Sequence, residues 1–484
     1  MKKPVALLSA LLLSACVSAP TTTPQARALA PDSLGLSAEA APHFDDAWWK
    51  AFRDPQVDRL AELTLAGNPT LQDALARIRA AQAQLSGARA DDRPQVSLDG
   101  QEQRLLFSKD YIIPPPFGGS YRWYGQVAAN LTWNIDFWGK QAAIIGRAHD
   151  NVRAAALDAA AARLALSGAL AQTYINLLLA YQDNDIARES VREREEILKL
   201  TQGRFNAGLE NASAVEQAKA LLALARAEVK HTQAQRDLNV HAVAALTGQG
   251  AAAYATITRP APHLDTALPL PKALPADLLA RRPDILAAQA RIEAAAKGRE
   301  AAHADFYPNI NLTALVGFQA IGLSNLLGGD SFTYGAGPAI HLPIFDAGKI
   351  RARYAGATAE LDAAVADYNG TVLSAIHQTA DAMTEVSSLE SQRADQQDAV
   401  DSAQRALALA ESRYRSGLSD QIPMLNAENT LLTARQQMAA LVANSTIQRV
   451  TLLLSVGGGF NPGTDAPLKA ADASHSSPMH TAKD

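Results

Sequence analysis

The apolar and polar residues of the chain alternate with a period of two in four separate segments. From Trp123 to Phe137 the odd positions carry Trp, Gly, Val, Ala, Leu, Trp, Ile and Phe, and the even positions are mostly polar. A period of two puts the odd positions on one face of a β-strand and the even positions on the other. We therefore predict four strands, at about residues 95–107, 122–138, 308–320 and 331–345.

The residues after the second and fourth segments have the pattern of long helices. From Gly139 to Arg259 the sequence contains no proline. Small and apolar residues recur there at alternating spacings of four and three, which is the seam pattern of a coiled coil. They are Leu157, Ala161, Leu164, Gly168, Ala171, Ile175 and Leu178. We predict helix over about residues 139–248 and 347–456, each interrupted by a glycine turn. The second and fourth strands would then lead directly into helices of roughly 90 Å and about 100 Å.

The two halves of the sequence follow the same plan. The matching positions, in the same order in both halves, include Pro69 and Pro283, Pro94 and Pro308, Gly139 and Gly348, Lys140 and Lys349, and Gly208 and Gly417. In each half a helix begins at the first proline, where proline is tolerated, and two strands, a long helix, a glycine turn and another helix follow. We predict an internal duplication, with repeats at about residues 44–250 and 277–459 and a proline-rich linker at about 251–276.

The N-terminus has the features of a secretory signal. Two lysines precede an apolar run from Val5 to Leu13 that is too short to span a membrane. The following "LSAC", which ends at Cys16, resembles a bacterial lipobox, in which the cysteine is lipidated and becomes the mature N-terminus. Val17 in place of aspartate resembles the signal that sorts such lipoproteins to the outer membrane. We predict a signal peptide at residues 1–15, a lipidated linker at about 16–43 and a disordered polar tail at about 460–484.

Composition narrows the functional classes. Hydrophobic residues make up 48% of the 484 residues, aromatic residues make up only 6%, and the net charge is -5. Because no basic stripe is present, we expect no nucleic-acid partner. The sequence contains no glycine-rich phosphate loop, HExxH or G-x-S-x-G motif, and Cys16 is the only cysteine. We therefore expect no catalytic residue, no cofactor and no metal site.

The four predicted strands are the elements suited to crossing a membrane. Beyond the signal, no uninterrupted apolar run approaches the ~20 residues that a membrane helix needs. A barrel strand needs only ~9–11 residues of alternating character, which these segments have. Four strands cannot close an aqueous barrel, because barrels of about eight strands are already filled by side chains. If a pore exists, several chains must contribute to it.

Three stretches of the sequence resemble one known family. They are "WWKAFRDPQVDRLAELTLAGNPTLQDALARIRAAQA" from Trp48, "LLARRPDILAAQARIEAA" from Leu278 and "PIFDAGK" from Pro343. From Phe44 to Gly459 the chain is similar to the outer-membrane efflux factors of the TolC/OprM type, and its lipobox favours their NodT-like lipoprotein branch. The resemblance implies an α+β membrane protein that forms a homotrimer. Each chain would give four strands to a twelve-stranded outer-membrane β-barrel, which a long periplasmic α-helical barrel continues.

The resemblance also implies a function. The protein would be the exit duct of a tripartite efflux pump in the outer membrane of a Gram-negative bacterium. Its partners would be a periplasmic adaptor, an inner-membrane transporter of the RND type and outer-membrane lipid, and the exported molecule stays open. Two alternatives are the outer-membrane duct of a type I protein secretion system and a periplasmic scaffold lipoprotein. The scaffold would not explain four strands of membrane type.

The resemblance assigns roles to loops and turns. The glycine turns "RFNAGL" and "RYRSGL" would form the periplasmic tip where the adaptor docks. Their residues are Arg204, Phe205, Gly208, Leu209, Arg413, Tyr414, Gly417 and Leu418. Relatives often line the closed tip with aspartates, but Pro423 and Asn426 stand at those positions, so the candidates for an aperture are Glu210, Asp420 and Asn426. The loops at 107–122 and 320–331 would face the outside of the cell, because the longer barrel loops do so.

Overall fold

The computed structural model describes residues 22–37, 44–110, 112–262 and 273–462. Cys16, the predicted signal peptide and the tail beyond residue 462 lie outside these ranges. Within them the chain forms one four-stranded antiparallel sheet, eight α-helices and several short 3-10 helices. The strands are β1 (Gln95–Leu106), β2 (Tyr121–Ile135), β3 (Asn309–Ile321) and β4 (Phe332–His341). The helices are α1 (Pro55–Gly67), α2 (Pro69–Asp91), α3 (Lys140–Asn206), α4 (Ala212–Leu246), α5 (Leu278–Arg281), α6 (Pro283–Ala304), α7 (Lys349–Arg415) and α8 (Ile422–Ser455).

Two strands end earlier than the alternating pattern predicts. β4 ends at His341 rather than near residue 345, because His341 is already opposite Asn309, the first residue of β3. β2 ends at Ile135 rather than near residue 138. The next residue, Asp136, caps the long helix α3 by accepting a hydrogen bond of 2.8 Å from a backbone N–H in its first turn. The apolar pattern continues beyond both ends, so it does not mark where strand pairing stops.

The two hairpins of the sheet have the same register. In the first hairpin Gln95 lies opposite Thr132. Asn309 follows Gln95 by 214 residues and His341 follows Thr132 by 209 residues, and these two residues lie opposite each other in the second hairpin. The long helices α3 and α7 each contain 67 residues. An offset of 214 therefore relates β1 and α2 to β3 and α6, and an offset of 209 relates β2 and α3 to β4 and α7.

The largest hydrophobic core lies where the segment before α1 packs on the middle of α3. Trp48, Trp49 and Phe52 are each no more than 6% exposed. Trp48 Nε1 also donates a hydrogen bond of 3.3 Å to Ser167 Oγ on α3. The same core takes side chains from α1, α3, α4, α7 and α8. The tryptophan pair thus joins the helical hairpins of both halves.

One helix among the described residues is long and apolar enough to cross a membrane, judged by length and composition. An 18-residue window of α3 reaches a mean hydropathy of 1.3, and half of that window is buried inside the chain. Buried alanines such as Ala156 and Ala159 contribute to the apolar character of α3. Alanine favours helix and permits close helix packing, which accounts for the hydropathy of α3 without a membrane.

Both termini of the described chain pack against the helices. In the N-terminal segment 22–37, the backbone N–H groups of Gln25 and Ala26 each donate a 2.9 Å hydrogen bond to Asp362 Oδ1 on α7. Asn369, two turns further along α7, binds the backbone of the same segment as donor and as acceptor. At the other end, Phe460 packs against an alanine-rich cluster of α2, α3 and α6. The predicted disordered tail therefore does not begin at residue 460.

Candidate functional sites: the sheet faces and the helical tip

One face of the sheet is mainly apolar, although β1 places Glu102 and Arg104 on it. Val127 lies opposite Phe318, and Phe318 lies opposite Phe332 on the next strand. Leu98 and Tyr334 on the two edge strands are 75% and 78% exposed. Leu326, from the loop between β3 and β4, packs over this face at Gly125, and most of the β1 and β4 positions on it are exposed. An apolar face of this size is suited to contact with lipid.

The opposite face is a continuous polar surface. Gln101, Gln126 and Gln319 lie side by side on three neighbouring strands, and Gln101 Nε2 donates to Gln126 Oε1 at 3.2 Å. Asp99 accepts a 2.8 Å hydrogen bond from Asn130 Nδ2 across the same face. Amide and hydroxyl side chains line a water-filled path without attracting strongly charged solutes. The two faces together have the character of a pore wall.

The junction between the strands and the long helices is held by an ion-pair cluster. Asp305 follows α6 and binds Lys140 Nζ at the start of α3 at 2.6 Å and Arg353 Nη1 on α7 at 2.7 Å. Burial raises the pKa of the Asp305 carboxyl, but the two cations outweigh burial and hold its pKa below the ordinary value. Trp138 stacks on Tyr307 with ring centroids 4.8 Å apart. These contacts fix the direction in which the helices leave the sheet.

The two glycine turns have the same backbone geometry. Gly208 has φ +75 and Gly417 has φ +73, in the left-handed region that favours glycine. In each turn an N–H bonds back across the glycine, from Leu209 to the carbonyl of Arg204 at 2.9 Å and from Leu418 to the carbonyl of Arg413 at 2.8 Å. This is the Schellman arrangement that ends a helix. Each turn lies at the end of a 67-residue helix, roughly 100 Å from the sheet.

Two of the predicted tip residues bind each other across the two halves. The Arg204 guanidinium lies over the Tyr414 ring, 4.8 Å from its centroid, and Arg204 Nη1 donates to the Tyr414 carbonyl at 3.1 Å. Tyr414 is fully buried, and its hydroxyl lies 3.1 Å from Thr201 Oγ1. Burial raises the pKa of the Tyr414 phenol. The arginine of one turn and the tyrosine of the other therefore hold the two hairpins together.

The remaining tip residues face outward. Phe205, Leu209 and Leu418 are 40%, 66% and 72% exposed, and Arg413 is exposed as well. A groove of about 520 Å³ runs beside them between α3, α7 and α8. Its lining combines apolar residues with charged ones of both signs, including Leu200, Met424, Glu193, Glu411 and Arg415. Exposed apolar side chains beside a groove are typical of a protein-binding surface.

The three aperture candidates have different surroundings. Glu210 is only 11% exposed at its side chain, and its carboxylate faces Arg204 at 3.7 Å and the Tyr414 hydroxyl at 3.4 Å. It belongs to the contact between the hairpins. Asp420 and Asn426 are exposed near the start of α8, where they can face a lumen.

A buried ion pair near the tip was not predicted from the sequence. Arg194 Nε binds Glu428 Oε1 at 2.8 Å, and the two side chains are 8% and 2% exposed. Arg194 also donates to Asn429 Oδ1 at 2.9 Å and to the Leu221 carbonyl at 3.0 Å. One arginine thus joins α3, α4 and α8. Its place within the charged run "REREEI" gave no signal that it is buried.

Comparison with known proteins identifies the family. The profile of the outer membrane efflux protein family matches residues 60–249 and 274–458. The chain belongs to this family. It is 32% identical over 475 residues to the outer membrane protein OprJ of Pseudomonas aeruginosa, a match that covers 96% of this chain and 98% of OprJ. It is 33% identical to the fusaric acid resistance protein FusA of Burkholderia cepacia, over 73% of this chain and 68% of FusA.

Solved structures agree with the family. The crystal structure of the outer membrane protein VceC of Vibrio cholerae has a TM-score of 0.80 with this chain at 33% identity. The match covers 86% of this chain and all of VceC. This efflux family member is therefore a TolC-type channel of the outer membrane of a Gram-negative bacterium, and it extends into the periplasm. The resemblance recognised from the tryptophan pair and the "RRPDI" run is confirmed.

Proposed function

We propose that this outer membrane efflux protein is a homotrimeric exit duct of a tripartite pump, through which small molecules leave the cell. The observation that carries the proposal is the four-stranded sheet, which has one apolar face, one polar face and two unpaired edges. Each long helix continues from this sheet for roughly 100 Å. The names of relatives such as FusA refer to small molecules, which favours small-molecule export over protein secretion.

The unpaired edges support closure by further copies of the chain. β1 and β4 are edge strands, and in lipid every backbone N–H and C=O group needs a partner. A single chain leaves both edges open, so the edges must pair with other chains. Three copies would give a twelve-stranded barrel wide enough for an aqueous path, whereas about eight strands would be filled by side chains.

An internal duplication would explain how the two halves of each chain can take equivalent places around the axis of the trimer. The equal registers of the two hairpins and the equal lengths of α3 and α7 support it. The two separate matches of the family profile, at 60–249 and 274–458, support it as well. Six equivalent half-units from three chains would then surround one axis.

The helical tip is the docking site of the periplasmic adaptor in this proposal. The exposed Phe205, Leu209 and Leu418 and the groove beside them supply the apolar contact surface. Arg413 supplies an exposed charge. Arg204 and Tyr414 act from inside by fixing the position of both turns. Asp420 and Asn426 are proposed to face the aperture, where replacing Asp420 by alanine would change the ion conductance of the closed duct.

The lipid on Cys16 is proposed to anchor the N-terminal segment at the periplasmic side of the membrane. Arg299 donates to the carbonyl of Thr22 at 3.2 Å, and Arg299 lies in the last turns of α6, close to the start of β3. Thr22 follows Cys16 by six positions, a stretch that can span at most roughly 20 Å. The lipid would therefore lie near the rim of the barrel.

The test combines oligomeric state with function. We expect the protein to migrate as a trimer when it is extracted from outer membranes in mild detergent, and to form open channels in planar bilayers when its tip is removed. Expression in a strain that lacks its own efflux duct, together with a cognate adaptor and transporter, should restore drug resistance. A monomeric protein that cannot conduct ions would refute the duct.

A further inference from the structure

Three ion pairs hold the second half of the chain to the first at one helix contact, beside the sheet. They join α3 to α6 and to the residue that follows it, and they are Lys140–Asp305 at 2.6 Å, Arg153–Glu293 at 3.0 Å and Asp158–Arg291. The two helices are antiparallel, since the residue number rises on α3 as it falls on α6. Helix α2 packs on the other side of α3, and α7 packs on the other side of α6. The order of helices in the described chain is therefore α2, α3, α6, α7.

The offsets between the halves give the equivalent positions on the two outer helices. Lys349 on α7 follows Lys140 by 209 residues, and Asp91 on α2 precedes Asp305 by 214 residues. The same offsets relate all three ion pairs to pairs of α7 and α2 residues. These are Lys349 with Asp91, Asp362 with Arg79, and Asp367 with Arg77. Every one of these pairs combines opposite charges.

These outer charges lack partners on another helix. Among the described residues, Asp91, Lys349 and Asp367 are exposed and make no side-chain hydrogen bond or ion pair. Arg79 is exposed in the same way. Arg77 binds only Asp73 of its own helix, one turn away.

Asp362 is the one outer charge that binds a described segment outside its own helix. Its Oδ1 accepts the backbone N–H groups of Gln25 and Ala26. A carboxylate has two oxygens and about four lone-pair directions, so Asp362 Oδ2 can still accept from Arg79 of a neighbouring copy. In the other two pairs, Lys349 with Asp91 and Asp367 with Arg77, no side chain binds a segment outside its own helix within the described chain.

We propose that α7 of one subunit binds α2 of the next through these three ion pairs, so that the contact between subunits repeats the contact within the chain. The occupant of the exposed α7 face is thus a second copy of this chain. The inference rests on the proposed homotrimer and specifies its interface. Lys349 and Asp367 are 18 residues apart, so the ladder extends about 27 Å along the helix.

The same two offsets also give a strand pairing between subunits. The observed pair Gly125–Ala320 between β2 and β3 becomes Tyr334 opposite Leu106 of the partner subunit under the two offsets. Both residues belong to the mainly apolar face, on which the same register also places Glu102 and Arg104 of the partner subunit. Shifting the register by one residue would bring polar positions to the lipid. On the polar face, the observed pair Thr132–Thr313 places His341 opposite Asp99 of the partner subunit.

Thiol cross-linking tests the helix contact. Asp91→Cys and Lys349→Cys are combined in one chain and treated in membranes with a short bifunctional thiol reagent. We expect most of the protein to move from the monomer band to dimer and trimer bands on a denaturing gel. Each single variant should stay monomeric there, and so reports any background from Cys16, the only native cysteine.

Two matched controls show whether the dimer and trimer bands come from the proposed contact between subunits. Lys140→Cys with Asp305→Cys should cross-link within one chain and stay a monomer, because that pair is already formed there. Asp91→Cys with Asp367→Cys should not cross-link, because Asp367 lies about 27 Å along α7 from the expected contact. Equal cross-linking in this mismatched control and the matched pair would overturn the register.

A charge exchange keeps the test valid if the cysteine variants assemble poorly. Lys349→Asp alone should lower the temperature at which detergent-extracted trimers dissociate, and Asp91→Lys in the same chain should restore it. If the unaltered protein is trimeric but neither cross-linking nor charge rescue occurs, this interface is wrong and the homotrimer stands. If the unaltered protein is not trimeric, the homotrimer fails and the interface fails with it.

Discussion

Replacing Gly417 tests whether the tip turn has to keep its backbone shape. Gly417 has φ +73, and a Cβ built there would meet only Arg204 Nη1, at the ordinary contact distance of 3.9 Å. The cost of a side chain is therefore backbone strain and not a collision. A β-branched residue held at such a φ costs roughly 1–3 kcal/mol. A value of about 2 kcal/mol shifts the equilibrium between the native and altered turn by roughly thirtyfold.

We expect Gly417→Val to abolish efflux although trimers still reach the outer membrane. The strain acts on one turn at the end of α7, roughly 100 Å from the sheet. We therefore expect barrel assembly to be unaffected. The displaced turn moves Leu418 and the buried Tyr414, and the adaptor loses its matching surface. Drug resistance and co-purification with adaptor measure the loss, and a heat-resistant trimer band measures assembly.

Gly417→Asn is the matched control, because asparagine tolerates the left-handed region far better than valine. It should keep most of the resistance that Gly417→Val loses. Gly208→Val should act in the same direction with a weaker effect. If Gly417→Val trimers bind adaptor and restore resistance as well as the asparagine variant does, the tip is not the docking site. The contact surface would then have to lie along the sides of the long helices.

Three further predictions follow from other parts of the chain. Mass spectrometry of the mature N-terminus should find a lipid on Cys16 and no residues before it, and an unmodified cysteine would contradict the lipobox assignment. Epitope tags in the loops at 107–122 and 320–331 should be labelled on intact cells, whereas labelling only after the outer membrane is breached would reverse the topology. Glu428→Gln should destabilise the packing of α3, α4 and α8 by about 3–5 kcal/mol, because it leaves the buried Arg194 without its counter-charge. Replacing both residues by apolar ones should recover most of the thermal stability that the single change loses.

The features that the sequence predicted are those set by neighbours along the chain. Alternation around Leu131 and Trp133 assigned the faces of the sheet, because side chains of a strand alternate whatever lies beside it. Gly208 and Gly417 marked the ends of the long helices, because a left-handed position selects glycine locally. The ends of β2 and β4 were predicted too late, since a strand stops where its partner stops, and the partner is far away in sequence.

The features that the sequence did not predict join residues about 200 positions apart. Arg204 and Tyr414 were predicted as parallel surface features of two turns, but they bind each other across the hairpins. Glu210 was predicted at an aperture and instead faces that pair. The buried Arg194 has charged neighbours in sequence, so periodicity suggested an exposed position. In each case a residue of the first half contacts a residue of the second half, and a local sequence pattern does not indicate that pairing.

One of the three charge pairs on the outer helices also discriminates between the orders in which the half-units can join. Within the chain Arg153 of α3 binds Glu293 of α6, whereas the equivalent positions are Asp362 on α7 and Arg79 on α2, with the signs exchanged. If α3 packed against α2 of another copy in place of α6, Arg153 would face Arg79, and like charges at that distance are unfavourable. Asp362 would face Glu293 in the complementary error. The other two pairs keep opposite charges in either order, so the preference for a ring in which first and second halves alternate comes from this one position.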